Sequence, residues 1–68
     1  MRLGKELRRL RVERNLSQEE VGKEIGFTQQ QISLYETGEL IPKVKDLVRL
    51  SVVLRADISE LIKHAREN

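Results

Sequence analysis

Residues 17–36 read SQEEVGKEIGFTQQQISLYE, and the order of small, capping and apolar residues in this stretch decides the fold. Ser17 precedes a segment that predicts a helix over Gln18 to Ile25. Gly26 ends it, because glycine takes the left-handed backbone conformation of a helix stop without a Cβ penalty. Thr28 then opens a second helix, from Gln29 to about Thr37, which Gly38 ends. Gly22 puts no side chain where the two helices would cross. Val21, Ile25, Phe27, Ile32 and Tyr35 supply one apolar set that closes between the helices and the rest of the domain.

The punctuation repeats. Ser17 is followed three residues later by Glu20, Thr28 by Gln31 and Asp57 by Glu60, giving three expected capping boxes in one short chain. Each has a staple pair around it: Leu16 with Val21, Phe27 with Ile32, and Ala56 with Leu61, the last weakened by its alanine. Together these signals describe a helix-turn-helix over about residues 17–36. In DNA-binding versions of that motif the second helix lies in the major groove and presents the side chains near its start to base edges.

Working outward, Leu3, Leu7 and Leu10 form one stripe of a first helix from about Arg2 to Arg14, stopping at Asn15, which tolerates left-handed backbone. Pro42 resists a helical residue at Ile41 and so marks a loop from Glu39 to Pro42. A fourth helix is expected from about Lys43 to Leu54, and a fifth from about Ile58 to the final residues. No strand alternation or repeat interrupts this pattern, so residues 1–68 are read as a single all-α domain of five helices with short connections.

Composition removes several classes of function. A chain of 68 residues buries only roughly 60% of the surface its unfolded form exposes, which leaves little room for an enclosed substrate pocket. Cysteine is absent, so there is no disulfide, thiol nucleophile or thiolate metal site, and the single histidine, His64, has no second histidine to share a metal. Glu19 and Glu20 resemble an acid–base pair, yet their place in a first helical turn is explained by the helix dipole. The apolar runs fall far short of the about 20 residues of a membrane span, and no signal-peptide pattern opens the chain. The expectation is a cytoplasmic protein that is not an enzyme, with no cofactor, metal or small-molecule ligand.

The net charge of +2 hides a sharper distribution. Residues 1–14 carry six basic residues against Glu6 and Glu13, residues 15–41 carry Lys23 against five glutamates, and residues 42–54 carry Lys43, Lys45 and Arg49 against Asp46. The expected recognition helix has no lysine or arginine. Attraction for phosphates must come from the first helix, Lys23, the segment around Lys43 and Lys45, and helix N-termini such as that at Thr28.

The chain resembles the phage repressor and Cro-type helix-turn-helix family, the lambda repressor-like domains, over nearly its whole length. The resemblance rests on Leu16-Ser17-Gln18-Glu19-Glu20, Gly26, Ile32-Ser33, Glu36 with Gly38, Pro42, and the segment Asp57 to Ile62, while Thr28-Gln29-Gln30 is similar to the start of a lambdoid repressor's recognition helix. It implies a five-helix transcriptional regulator, a repressor, binding double-stranded operator DNA with inverted repeats as a homodimer. It also implies that Gln18 contacts phosphate, that Arg11 pairs with Glu36, and that dimerisation occurs near helix five. Three positions depart from the pattern. Arg55 stands where a glycine usually closes helix four, Lys43 replaces its Ser, Thr or Asp cap, and Leu34 occupies an outer position that is commonly polar.

Within that frame Gln29, Gln30 and Ser33 are candidate base readers, since glutamine makes a paired hydrogen bond to adenine, and Leu34 is a candidate for contact with a thymine methyl. The bland reading of the same residues is a solvated polar helix face. Gln18, Lys23, Thr28, Lys43 and Lys45 are candidate phosphate contacts. Val52, Val53, Ile58 and Ile62 exceed what one face of each helix needs, so some are expected at the surface. Val52, Ile58 and Ile62 are the candidate dimer seam, with scattered surface apolars as the alternative. Two other functional readings stay open: the N-terminal DNA-binding domain of a longer regulator, and a protein-interaction module of the same fold.

Overall fold

The computed structural model describes residues 2–67. It contains α1 (Leu3–Glu13), α2 (Gln18–Ile25), α3 (Gln29–Thr37), α4 (Val44–Leu54) and α5 (Ile58–Arg66). No strand occurs among the described residues.

Local chemistry sets the boundaries. The Ser17 hydroxyl accepts from the Glu20 amide at 3.0 Å while the Glu20 carboxylate accepts from the Ser17 amide at 2.8 Å. Thr28 and Gln31 make the same exchange at 3.2 and 3.0 Å. Amides left without partners at the starts of α2 and α3 are thereby satisfied. The expected third box does not form. Asp57 accepts instead from the amide and hydroxyl of Ser59, at 2.9 and 2.6 Å, because its short carboxylate reaches the nearer residue, which offers two donors.

Four helices stop on a left-handed residue: Asn15 (φ 57°), Gly26 (φ 76°), Gly38 (φ 85°) and Arg55 (φ 53°). The chain then folds back, with the amides of Leu16, Phe27 and Ala56 bonded to the carbonyls of Arg11, Gly22 and Ser51 at 3.1, 2.7 and 2.9 Å. Arg55 thus adopts the geometry a glycine would hold at lower cost, by about 1 kcal/mol. Lys43 precedes α4 without a side-chain capping bond, and α5 ends at Arg66 with Glu67 extended. The fifth helix is therefore shorter than expected from sequence, and the last residue of that expectation, Asn68, lies outside the described residues.

One core joins all five helices. Leu3 and Leu7 of α1, Val21 and Ile25 of α2, Ile32 and Tyr35 of α3, Leu47, Leu50 and Leu54 of α4, and Leu61 of α5 are buried, with Leu10, Leu16 and Phe27 partly buried against them. α3 packs on both α2 and α1, α4 on α2 and α5, and α5 on α1. Two close approaches hold α3 in place. A Cβ on Gly22 would lie 2.5 Å from the Phe27 carbonyl oxygen, so α2 can press against the turn only through a glycine. A Cβ on Gly4 would lie 2.7 Å from the Tyr35 carbonyl oxygen, and nearer still to that of Glu36, so α1 meets the end of α3 backbone to backbone. The start of α3 is left outside, with Gln29 and Gln30 exposed.

Candidate nucleic-acid interface

The exposed start of α3 is tied to the rest of the molecule by a chain of polar side chains. Arg11 of α1 donates through Nε to Glu36 Oε2 at 2.6 Å and through one terminal nitrogen to Glu36 Oε1 at 3.0 Å. Its other terminal nitrogen donates to the Leu16 carbonyl at 2.8 Å, which also braces the entry to α2. The side chains of Arg11 and Glu36 are only 14% and 5% exposed, so water competes little for these bonds. The Glu36 bonds hold the Arg11 guanidinium above its ordinary pKa, against the opposing effect of burial. Gln18, the first residue of α2, donates to Glu36 Oε1 at 3.0 Å and accepts from Gln29 Nε2 at 2.8 Å. Four residues from three helices thus form one line from the core to the surface.

The other candidates flank that line. Gln30, Thr28 and Lys23 are exposed, and Ser33 and Leu34 are half-buried. The side-chain oxygen of Gln31 is occupied by the Thr28 amide. Lys43 and Lys45, both exposed, border a shallow groove shared with Phe27 and Gln31, which sets their charge beside the start of α3. Two basic residues near the chain's start are already engaged: Arg9 of α1 with Glu6 and Glu13, each at 2.5 Å, and Arg2, just before α1, with Glu67 at 3.3 Å. They behave as a solvated surface.

The family described as a helix-turn-helix domain matches residues 2–63 of this chain. The chain belongs to the helix-turn-helix domain family. It is 37% identical over 62 residues to the cryptic phage CTXphi transcriptional repressor RstR of Vibrio cholerae, a likeness covering 91% of this chain and 56% of that protein. The chain therefore spans a little over half the length of the curated relative it matches. No solved structure gives a significant match. Family and relative together place the chain among phage-repressor-like helix-turn-helix domains. No helix among the described residues is long and apolar enough to cross a membrane.

Against this helix-turn-helix frame the candidate dimer residues separate. Val52 is 73% exposed, whereas Ile58 and Ile62 of α5 are half-buried and packed on the core with Val53. Besides Val52, the exposed large apolar side chains are ones the sequence reading did not single out: Val44 and Val48, which share the outer face of α4 with Val52, Leu40 and Ile41 in the loop before it, and Val12 of α1. Spacing of four residues puts Val44, Val48 and Val52 on one stripe, a pattern readable in the sequence but masked by the overall apolar richness of α4. Sequence reasoning also missed Arg49. It donates to the Ile25 carbonyl at 2.5 Å and lies 5.8 Å from the centre of the Phe27 ring, so it ties α4 to the turn of the motif. Nothing local distinguishes it from any other cation on a helix.

Proposed function

We propose that this domain is a sequence-specific DNA-binding transcriptional regulator, a repressor, that places α3 in the major groove of an inverted-repeat operator as a homodimer. The observation that carries this reading is the exposed amide of Gln29 at the start of α3, fixed by Gln18 rather than free in solution. Side chains at this end of the second helix face base edges in motifs of this kind. Gln29 reads an adenine with help from Gln30. Ser33 and Leu34 add contacts further along the groove. Gln18, Lys23, Thr28, Lys43 and Lys45 hold phosphates on either side, and Val52 of α4 with Ile58 and Ile62 of α5 forms the seam between protomers. A cytoplasmic, nucleoid-associated location follows from that role.

Base readers and phosphate contacts respond differently to substitution, which makes the assignment testable. Gln29→Ala is expected to cost about 1 to 3 kcal/mol per contact on the preferred operator and to relax base choice at one symmetric position. Lys43→Ala is expected to weaken all sequences alike and to make the salt dependence shallower. Affinities of both variants for single-base operator substitutions at two salt concentrations check this. A Gln29→Ala protein that keeps the parent's base preference everywhere sinks the assignment.

A further inference from the structure

We propose that Glu36, buried out of reach of DNA, sets which base Gln29 prefers, by fixing the direction of the hydrogen bonds that pass through Gln18. The proposal rests on the reading of Gln29 as a base reader and adds a positioning residue to it.

The direction follows from which groups can donate. An ionised carboxylate only accepts hydrogen bonds and a guanidinium only donates them, whereas a glutamine amide does either, depending on which end it turns. Glu36 Oε1 already accepts from Arg11 at 3.0 Å, and the Gln18 group facing it at 3.0 Å must then be the amide nitrogen. Gln18 is left with its oxygen toward Gln29. That oxygen is met by Gln29 Nε2 at 2.8 Å, and only the nitrogen end of Gln29 satisfies it. One N–H of Gln29 is consumed, and what remains for the groove is one N–H beside one carbonyl oxygen. Adenine presents the complementary pair, the N7 acceptor and the N6 amino donor. The second N–H of Gln18 stays free for a phosphate oxygen.

Replacing the carboxylate removes that constraint. Both Glu36 oxygens accept from Arg11, Oε2 at 2.6 Å and Oε1 at 3.0 Å, and Oε1 also accepts from Gln18 at 3.0 Å. A Glu36→Gln amide can meet Arg11 with its oxygen at only one of those two places. With the oxygen toward Gln18 the parent direction persists; with the nitrogen toward Gln18, Gln18 turns over and donates to the Gln29 oxygen, and Gln29 offers the groove two N–H groups from one nitrogen, the complement of guanine with its acceptors at N7 and O6. Glu36, with no contact to any base, thereby holds Gln29 to the adenine pattern.

The test compares the affinities of four proteins for operators carrying each of the four bases at the position Gln29 reads, with melting temperature followed in parallel. The parent is expected to prefer adenine over guanine by about tenfold or more. Glu36→Gln, which admits both directions, is expected to lower the adenine-to-guanine ratio by about threefold or more, toward one. Gln18→Met keeps the Arg11–Glu36 pair intact and frees the Gln29 amide to turn, so its ratio is expected to fall toward one while the fold is retained. Gln29→Ala is the reference that loses the preference altogether. If Gln29→Ala loses it while Gln18→Met and a folded Glu36→Gln keep the parent ratio, the relay is overturned and Gln29 remains the reader. Retention of the ratio by Gln29→Ala overturns both. Where Glu36→Gln does not fold, Gln18→Met decides alone.

Discussion

At Arg55 an exposed side chain, with no hydrogen bond or ion pair among the described residues, occupies a backbone angle of φ 53°. Left-handed backbone brings Cβ against the following carbonyl in every residue but glycine, and here no visible contact offsets that cost. Arg55→Gly is therefore expected to stabilise the fold by about 0.5 to 1 kcal/mol, even after the extra freedom glycine gains in the unfolded chain. Thermal unfolding checks it, at roughly 4 to 8 °C per kcal/mol for a domain of this size. The same substitution at Asn15 (φ 57°) serves as comparison, and a smaller gain is expected because asparagine tolerates this conformation. An unchanged or lowered melting temperature for Arg55→Gly would mean that the arginine makes a compensating contact in solution.

The helices themselves were largely legible in the sequence, because their ends are decided by neighbours within four residues. Ser17 with Glu20, Thr28 with Gln31, and the left-handed stops at Asn15 and Gly26 all act within that range. Asp57 shows the limit of such reading: Glu60 stands at the spacing of a capping box, but Ser59 is closer and takes the bond. Packing between elements was less legible. Gly22 announces its crossing by lying inside the motif, whereas nothing near Gly4 in the sequence marks the carbonyls of Tyr35 and Glu36 that lie against it. The Gln18–Glu36 bond joins residues 18 apart, and no local pattern marks it. Alanine is a better helix former than glycine by about 1 kcal/mol, so a Gly22→Ala change on a free helix face would stabilise. With backbone 2.5 Å from the new methyl it is expected instead to destabilise by about 1 to 3 kcal/mol, as chemical denaturation would register. A neutral result would show α2 able to move away from the turn at no cost.

For the molecule as a whole, titration places two edges on stability. The hydrogen bond from Arg9 lowers the pKa of Glu6, and bonds from Ser17 lower that of Glu20, both below the ordinary 4.5. Bonds from Ser59 lower Asp57 below 3.8. In each case the unfolded chain binds protons first, so the contribution is present above the ordinary value and is lost as pH falls through the folded one. Burial, with the nearby charge of Asp46, raises Tyr35 above 10.0, so its contribution is complete below pH 10.0 and lost as pH rises beyond. Melting temperature measured against pH should decline at both ends. Assembly is the second whole-molecule matter. Ile58 is packed on the core, so Ile58→Glu would disturb folding as well as any seam, and Val52→Glu, at a side chain 73% exposed, is the cleaner probe. It should weaken binding to a full palindrome more than to a single half-site, and equal losses would move the seam elsewhere. Selection of sites from random duplex DNA tests the central claim most directly. The account predicts enrichment of a palindrome whose half-sites lie about one helical turn apart, each with an adenine at the position Gln29 reads. Absence of any enriched sequence at low salt would contradict it.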